Sequence, residues 1–191
     1  MSEYQDHLPT WRHLHAKYDL SGRSLLEYGC GSGTRQLTKL FSRCHSVELW
    51  HHEFLSLDWF RNLSEEMSGG KWSGRDVEVC QEILEAERAI RGGRIDTRAF
   101  SGPAVDWLRG VIRADVEASR PYFVFVDPGI HMRGEIARIV MEERLARVVV
   151  VHDHAWPDDR YGYHLLGGVE GWDMTVPVPG GLGTAVFEQR G

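Results

Sequence analysis

Three glycines at alternate positions, Gly29, Gly31 and Gly33, follow a short apolar run in SLLEYGCGSGTRQL (24–37), with Glu27 in front, Cys30 among them and Thr34 behind. Glycine takes positive φ without steric cost and lets another group lie against bare main chain. Such a turn can cradle a ligand, and a helix starting near Gly33 or Thr34 would aim its N–H groups at the same place. Glu48 follows 15 residues after Gly33. At the end of a second strand its carboxylate can accept both hydroxyls of a ribose. Strand, glycine triplet, helix, strand and terminal acid, in that order, point to a nucleoside-containing ligand.

A second concentration of reactive groups lies in VDPGIHMR (126–133) and VHDHAWPDDRYGYH (151–164). Asp127 and Asp153 each end an apolar run, and His131, His152, His154 and Arg160 stand close by. Three chemistries suit these residue types. Asp127 and Asp153 with His154 or His131 offer oxygen and nitrogen donors to magnesium or manganese, or to iron or zinc if two histidines join. Without a metal, a histidine oriented by Asp127 or Asp153 can remove a proton from an acceptor. In the plainest case the acids cap helices and the histidines line a solvated rim. Arg160 would hold an anionic acceptor.

Strands alternating with helices must position these groups. Residues 24–28, 44–49, 94–100, 122–127 and 147–153 read as strands, and 172–189 as a hairpin turning at Pro179-Gly180-Gly181. Helical spacing runs from Thr34, through 51–67 and 75–91, from Pro103 to about Ala118, and through 133–145, with a loop at 68–74. The expected fold is α/β: a doubly wound, mostly parallel seven-stranded sheet with a C-terminal antiparallel hairpin and helices on both faces. In such sheets ligands collect at the carboxyl ends of the strands. Both residue clusters fall there.

The bulk properties fit one domain over residues 1–191, with 1–20 a lid or surface helix that could bring His13, His15 and Tyr18 to the site. A net charge of −6 argues against binding a nucleic-acid backbone. No apolar run approaches the roughly 20 residues that cross a bilayer, and the N-terminus lacks a signal-peptide layout, so a cytoplasmic protein is expected. Cys30, Cys44 and Cys80 form neither a disulfide framework nor a zinc pattern. Trp50, Trp59 and Trp107 read as core; Trp72 and Trp156 read as pocket-lining. A homo-oligomer is compatible with all of this.

LLEYGCGSGT resembles motif I of class I S-adenosylmethionine-dependent methyltransferases, and HSVE resembles their second motif. The spacing is G-x-G-x-G with an acid two places earlier, unlike the G-x-G-x-x-G of dinucleotide dehydrogenases. The later segments are similar to a sparsely characterised methyltransferase-like group with an EYG turn, an Asp-Gly pair after strand four and an HD…R…Y run after strand five; here Asp127-Pro128-Gly129 replaces the bare pair. The resemblance implies S-adenosylmethionine as cofactor and transfer of a methyl group to an oxygen or nitrogen of a small molecule. It implies that Glu27, Gly29, Cys30, Gly31 and Gly33 border the methionine part, that Glu48 holds the ribose, and that Phe100 and Ser101 flank the adenine. Some O-methyltransferases of this fold hold a divalent ion with acids at these strand ends, which here would be Asp127 and Asp153, with His154. Two rival readings are a nucleoside-binding module without turnover and a transferase of another group derived from the same cofactor.

Overall fold

The structure, a computed structural model, describes residues 7–50, 57–67, 70–92, 102–155, 159–180 and 182–191. Seven strands form one sheet: β1 (Ser24–Tyr28), β2 (Arg43–Trp50), β3 (Trp72–Glu78), β4 (Phe123–Val126), β5 (Val148–His152), β6 (Trp172–Thr175) and β7 (Thr184–Gln189). Their order is β3-β2-β1-β4-β5-β7-β6. β1 to β5 pair in parallel, and β7 runs antiparallel between β5 and β6. The helices are α1 (Leu8–Tyr18), α2 (Thr34–Leu40), α3 (Leu57–Met67), α4 (Gln81–Arg91), α5 (Pro103–Ser119) and α6 (Arg133–Glu142). Short 3₁₀ turns occupy Leu20–Gly22 and Tyr163–Gly168.

Side chains alternate across the sheet, as a period of two requires. Leu25, Cys44, Phe123, Phe125, Val148, Val150 and Val186 pack with Trp11, Leu14, Leu37, Phe41, Phe60 and Leu63, on the side of α1, α2 and α3. Leu26, Tyr28, Val47, Leu49, Val124, Val126, Val149, Val151, Ala185 and Phe187 pack on the other side, against α4, α5 and α6. Strands buried on both faces read as continuous apolar runs. FVFV is the central strand β4, and VVVV belongs to its neighbour β5.

Three expectations change. The third strand is Trp72–Glu78, where the spacing predicts a loop followed by a helix beginning at residue 75; the helix starts instead at Gln81. β3 is an edge strand whose residues alternate toward solvent, so it carries polar side chains at positions a central strand would fill with valine. The buried Asp115 on α5, 2.6 Å from Arg75 Nε, ties that edge to the helix layer. The predicted strand at 94–100 lies outside the described residues, as does Trp156, and so do the side chains of Trp50 and Trp59. Trp72 is buried, packing on Phe60 and donating from Nε1 to Ser46 Oγ at 2.9 Å.

Helix α1 turns one face, Thr10, Trp11 and Leu14, into the core and the other to solvent. Trp11 is 0% exposed and meets Phe41, Phe123 and Phe125 edge-on at 5.4, 6.0 and 5.4 Å between ring centres. His13 and His15 are on the exposed face of α1, and Tyr18 hydrogen-bonds Glu188. Replacing Trp11 by Ala should cost about 3–5 kcal/mol, the usual penalty for emptying a large aromatic site. Urea unfolding at fixed pH measures it, whereas a peripheral helix would give less than ~1 kcal/mol.

Candidate functional site

The face that packs on α1 to α3 becomes polar at its carboxyl end. Two residues beyond Leu25 stands Glu27; beyond Cys44 come Ser46 and Glu48; beyond Phe125, Asp127; beyond Val150, His152. The alternation that builds the core therefore delivers three carboxylates and an imidazole to one rim. His7, immediately before α1, covers them: its ring centre is 5.1 Å from that of Phe125 and 5.3 Å from that of His152.

Glu27 is nearly fully buried. Thr34 Oγ1 donates to its Oε1 at 3.1 Å and Ser46 Oγ to its Oε2 at 2.7 Å, while Gly31 N–H donates to Thr34 Oγ1 at 2.9 Å. Burial pushes its carboxyl up to about 8, against the pull of the two hydroxyl donors. Near neutrality Glu27 thus carries its proton and anchors the glycine turn through Thr34. Glu48 Oε2 accepts the Cys30 N–H at 3.0 Å; burial pushes Glu48 up to about 7, opposed by that same hydrogen bond.

The glycines divide by role. Gly29 has φ +87°, and a Cβ there would collide with the backbone of Asp127 and Pro128, so the absence of a side chain lets the β4 turn cross β1. A Cβ on Gly33 would overlap the His7 imidazole. Only around Gly31 is there room, with no heavy atom nearer than 4.0 Å. Two of the three glycines therefore serve packing, and one leaves space beside the backbone.

Arg133, on the first turn of α6, organises the other half of the rim. Its NH1 group lies 2.9 Å from Asp127 Oδ1 and 3.0 Å from Asp153 Oδ2; its Nε donates to Pro128 O at 2.6 Å; and its guanidinium lies 4.0 Å from the Tyr161 ring centre. His152 Nδ1 lies 3.2 Å from Asp127 Oδ1 and 3.4 Å from Asp153 Oδ1. Burial alone would raise the Asp127 carboxyl, but the His152 hydrogen bond and the Arg133 charge hold it below the usual range. Asp153 has φ 56°, left-handed backbone that Asp tolerates better than most residues and that turns its carboxylate back to Arg133. The loop after β5 returns against α6 at Gly134, whose N–H donates to Tyr161 O at 2.7 Å and whose Cβ, if present, would strike Gly162. Tyr163 then donates to the His152 carbonyl.

The expected residues are thus sorted. Asp127, His152 and Asp153 come together around Arg133. His131 is tied to the buried Glu87 of α4, through its N–H and its Nδ1, both at 2.7 Å. His154 does not join the two carboxylates: it stacks on Tyr163 at 5.7 Å and lines a cavity of about 290 Å³ with Met141, Trp172 and Phe187. The expected metal set of Asp127, Asp153 and His154 is therefore not assembled. Among the described residues the one grouping of donors close enough to share an ion is His7, Asp127 and His152. Arg160 is exposed at the turn preceding Tyr161. Phe100 and Ser101 lie outside the described residues, and the turn after β3 is Val79–Cys80. Sequence reading missed His7, which sits outside any motif; Arg133, six residues past Asp127, entered only through the resemblance of DPGIHMR, with no role given to it.

Solved structures share this architecture. A caffeoyl-CoA O-methyltransferase candidate from Staphylococcus aureus superposes with a TM-score of 0.55 at 10% identity, covering 95% of this chain and 82% of that one. The S-adenosylhomocysteine-bound methyltransferase PaMTH1 of Podospora anserina gives 0.53 at 13% identity, over 100% and 80%. A Geobacter sulfurreducens methyltransferase gives 0.52 at 13%, over 96% and 79%. The chain has the class I methyltransferase fold. No family model matches the sequence. A curated relative, the glutamine-hydrolysing GMP synthase of Aeropyrum pernix, is 27% identical over 105 residues; the match takes in 53% of this chain and only 20% of that protein. The rim described above is the carboxyl edge of β1, β2, β4 and β5, the edge at which open α/β sheets in general bind ligands.

The raised pKa of Glu27 fixes the sign of a pH dependence of stability. The folded state holds this proton more tightly than the unfolded chain, so the stability it contributes is complete below about pH 4.5 and is lost as pH rises through about 8. Glu27→Gln, which keeps the shape without the ionisation, should flatten the fall in unfolding free energy across that window by on the order of 4 kcal/mol. Urea midpoints of both proteins across that pH range measure the difference.

Proposed function

We propose that this chain is an S-adenosylmethionine-dependent methyltransferase acting on an oxygen or nitrogen of a small molecule. The observation that carries the reading is the meeting, on one edge of a methyltransferase-type sheet, of a glycine turn beside a carboxylate with a second cluster of acid, imidazole and guanidinium. The residues fit the cofactor. Gly31 leaves room at the turn, and Glu48 already stands beside that turn at the end of β2, where it would hold the ribose hydroxyls. The turn that follows β3, Val79–Cys80, would also border the adenine. The S-adenosylhomocysteine bound to the Podospora anserina neighbour supports the same choice.

The bound cofactor supplies an electrophilic methyl on its sulfonium; the chain contributes alignment and removal of the acceptor's proton. Asp127 and His152 carry the acceptor side: Arg133 and the His152 hydrogen bond keep Asp127 ionised, and Asp127 in turn orients the imidazole. Arg160 would meet an anionic group of the acceptor from the rim. The −6 net charge favours a small molecule over a nucleic acid. The three cysteines are free, which suits a cytoplasmic setting, and no helix among the described residues is long and apolar enough to cross a membrane.

Calorimetry with S-adenosylhomocysteine tests the cofactor assignment. The wild type should bind one equivalent, and Glu48→Ala should weaken binding at least about tenfold, the loss of hydrogen bonds to a charged acceptor. Unchanged affinity in Glu48→Ala would remove the ribose assignment. Once a panel of hydroxyl- and amine-bearing acceptors yields turnover, His152→Ala should lower kcat by about 10²–10⁴ while leaving S-adenosylhomocysteine affinity within about twofold. Product release measured as S-adenosylhomocysteine reads the first quantity.

A further inference from the structure

We propose that His7, Asp127 and His152 form a site for a nitrogen-preferring divalent transition ion of the zinc or iron type, not for magnesium. The proposal deepens the reading of the acceptor-side cluster above. One donor atom from each residue lies within 4.8 Å of the other two. The three come from separate elements: His7 from the residue ahead of α1, Asp127 from the end of β4, His152 from the end of β5. His7 and His152 are buried, and the Asp127 side chain is a quarter exposed, which leaves an approach for an acceptor atom.

The distances suit an ion. Two donors each about 2.1 Å from a common centre lie about 3.0 Å apart at right angles and about 3.4 Å apart in a tetrahedron. Asp127 Oδ1 and His152 Nδ1 are 3.2 Å apart, between the two. Binding would draw His7 inward to similar separations, and its imidazole already rests against Gly33, where no side chain stands behind it.

Charge and donor type narrow the identity. Asp127 and Asp153 together carry two negative charges against the one positive charge of Arg133, so the two imidazoles face a net negative pocket. Asp153 Oδ1, 3.4 Å from His152 Nδ1, adds negative charge beside the donor atoms without being counted among them. Two imidazoles and one carboxylate suit zinc, iron, cobalt or nickel, whereas magnesium favours oxygen donors and water. Three protein donors leave coordination positions for a ligand, the arrangement of reactive metal sites. An acceptor hydroxyl bound there would lose its proton more readily.

The test uses the intact chain after dialysis against a chelator. Cobalt(II) should bind at one equivalent and give visible d–d absorption. Zinc should abolish that absorption, and millimolar magnesium should leave it. His7→Ala and His152→Ala should each weaken cobalt binding at least about a hundredfold, beyond the ~10–100-fold cost of losing an outer-shell partner. Gly33→Ala, which retains every donor but intrudes on the His7 imidazole, should weaken it too and serves if His7→Ala fails to fold. His154→Ala, whose ring lies in the neighbouring cavity, should bind cobalt as the wild type does. Failure to take up cobalt, displacement by magnesium, or undiminished binding in both His7→Ala and Gly33→Ala would overturn the site. S-adenosylhomocysteine calorimetry on the same metal-free protein separates the two ideas. Cofactor binding without cobalt uptake defeats only the ion site, and cobalt uptake without cofactor binding defeats only the methyl-transfer reading.

Discussion

One guanidinium holds the working edge of this molecule together. Arg133 is buried where β4, β5 and α6 converge, and it spans the carboxylates that end the two strands while gripping the carbonyl of Pro128. A buried charge without partners is prohibitively costly, and two carboxylates this close repel. Each group is tolerable only because the others are there. The loop after β5, the turn after β4 and the start of α6 are therefore one electrostatic unit, and His152 takes its orientation from it.

Much of this was legible because buried parallel strands announce themselves. YFVFVD and RVVVVHD could hardly be anything else, and each ends in the acid that matters. The triplet after β1 marked the other half of the rim. β3 escaped because an edge strand half open to water need not be apolar. WSGRDVE has no continuous hydrophobic run, and the spacing of Val79, Ile83, Ala86 and Ile90 extends a helical pattern backward over it. His154 was misjudged for a different reason. The left-handed backbone at Asp153 reverses the alternation, sending the next side chain to the opposite layer, and no pattern of residue types reveals a φ of 56°.

The glycine turn shows how one motif can be right for mixed reasons. The spacing marks a place where chain segments crowd together as much as one where a ligand lies. Gly29 admits the β4 turn and Gly33 admits His7, so the motif couples the first strand to the N-terminal helix and to the fourth strand. His7 was invisible beforehand for the same reason: its importance comes from a long-range approach, with nothing local to mark it.

The chain following β5 is pinned twice, by Ala155 N–H on the Leu182 carbonyl and by Gly134 N–H on that of Tyr161, with bare glycine backbone at the second contact. Fastened at both ends, and braced where the Asp159 carboxylate accepts the N–H groups of Tyr163 and His164, this stretch works like a bracket between the end of β5 and α6.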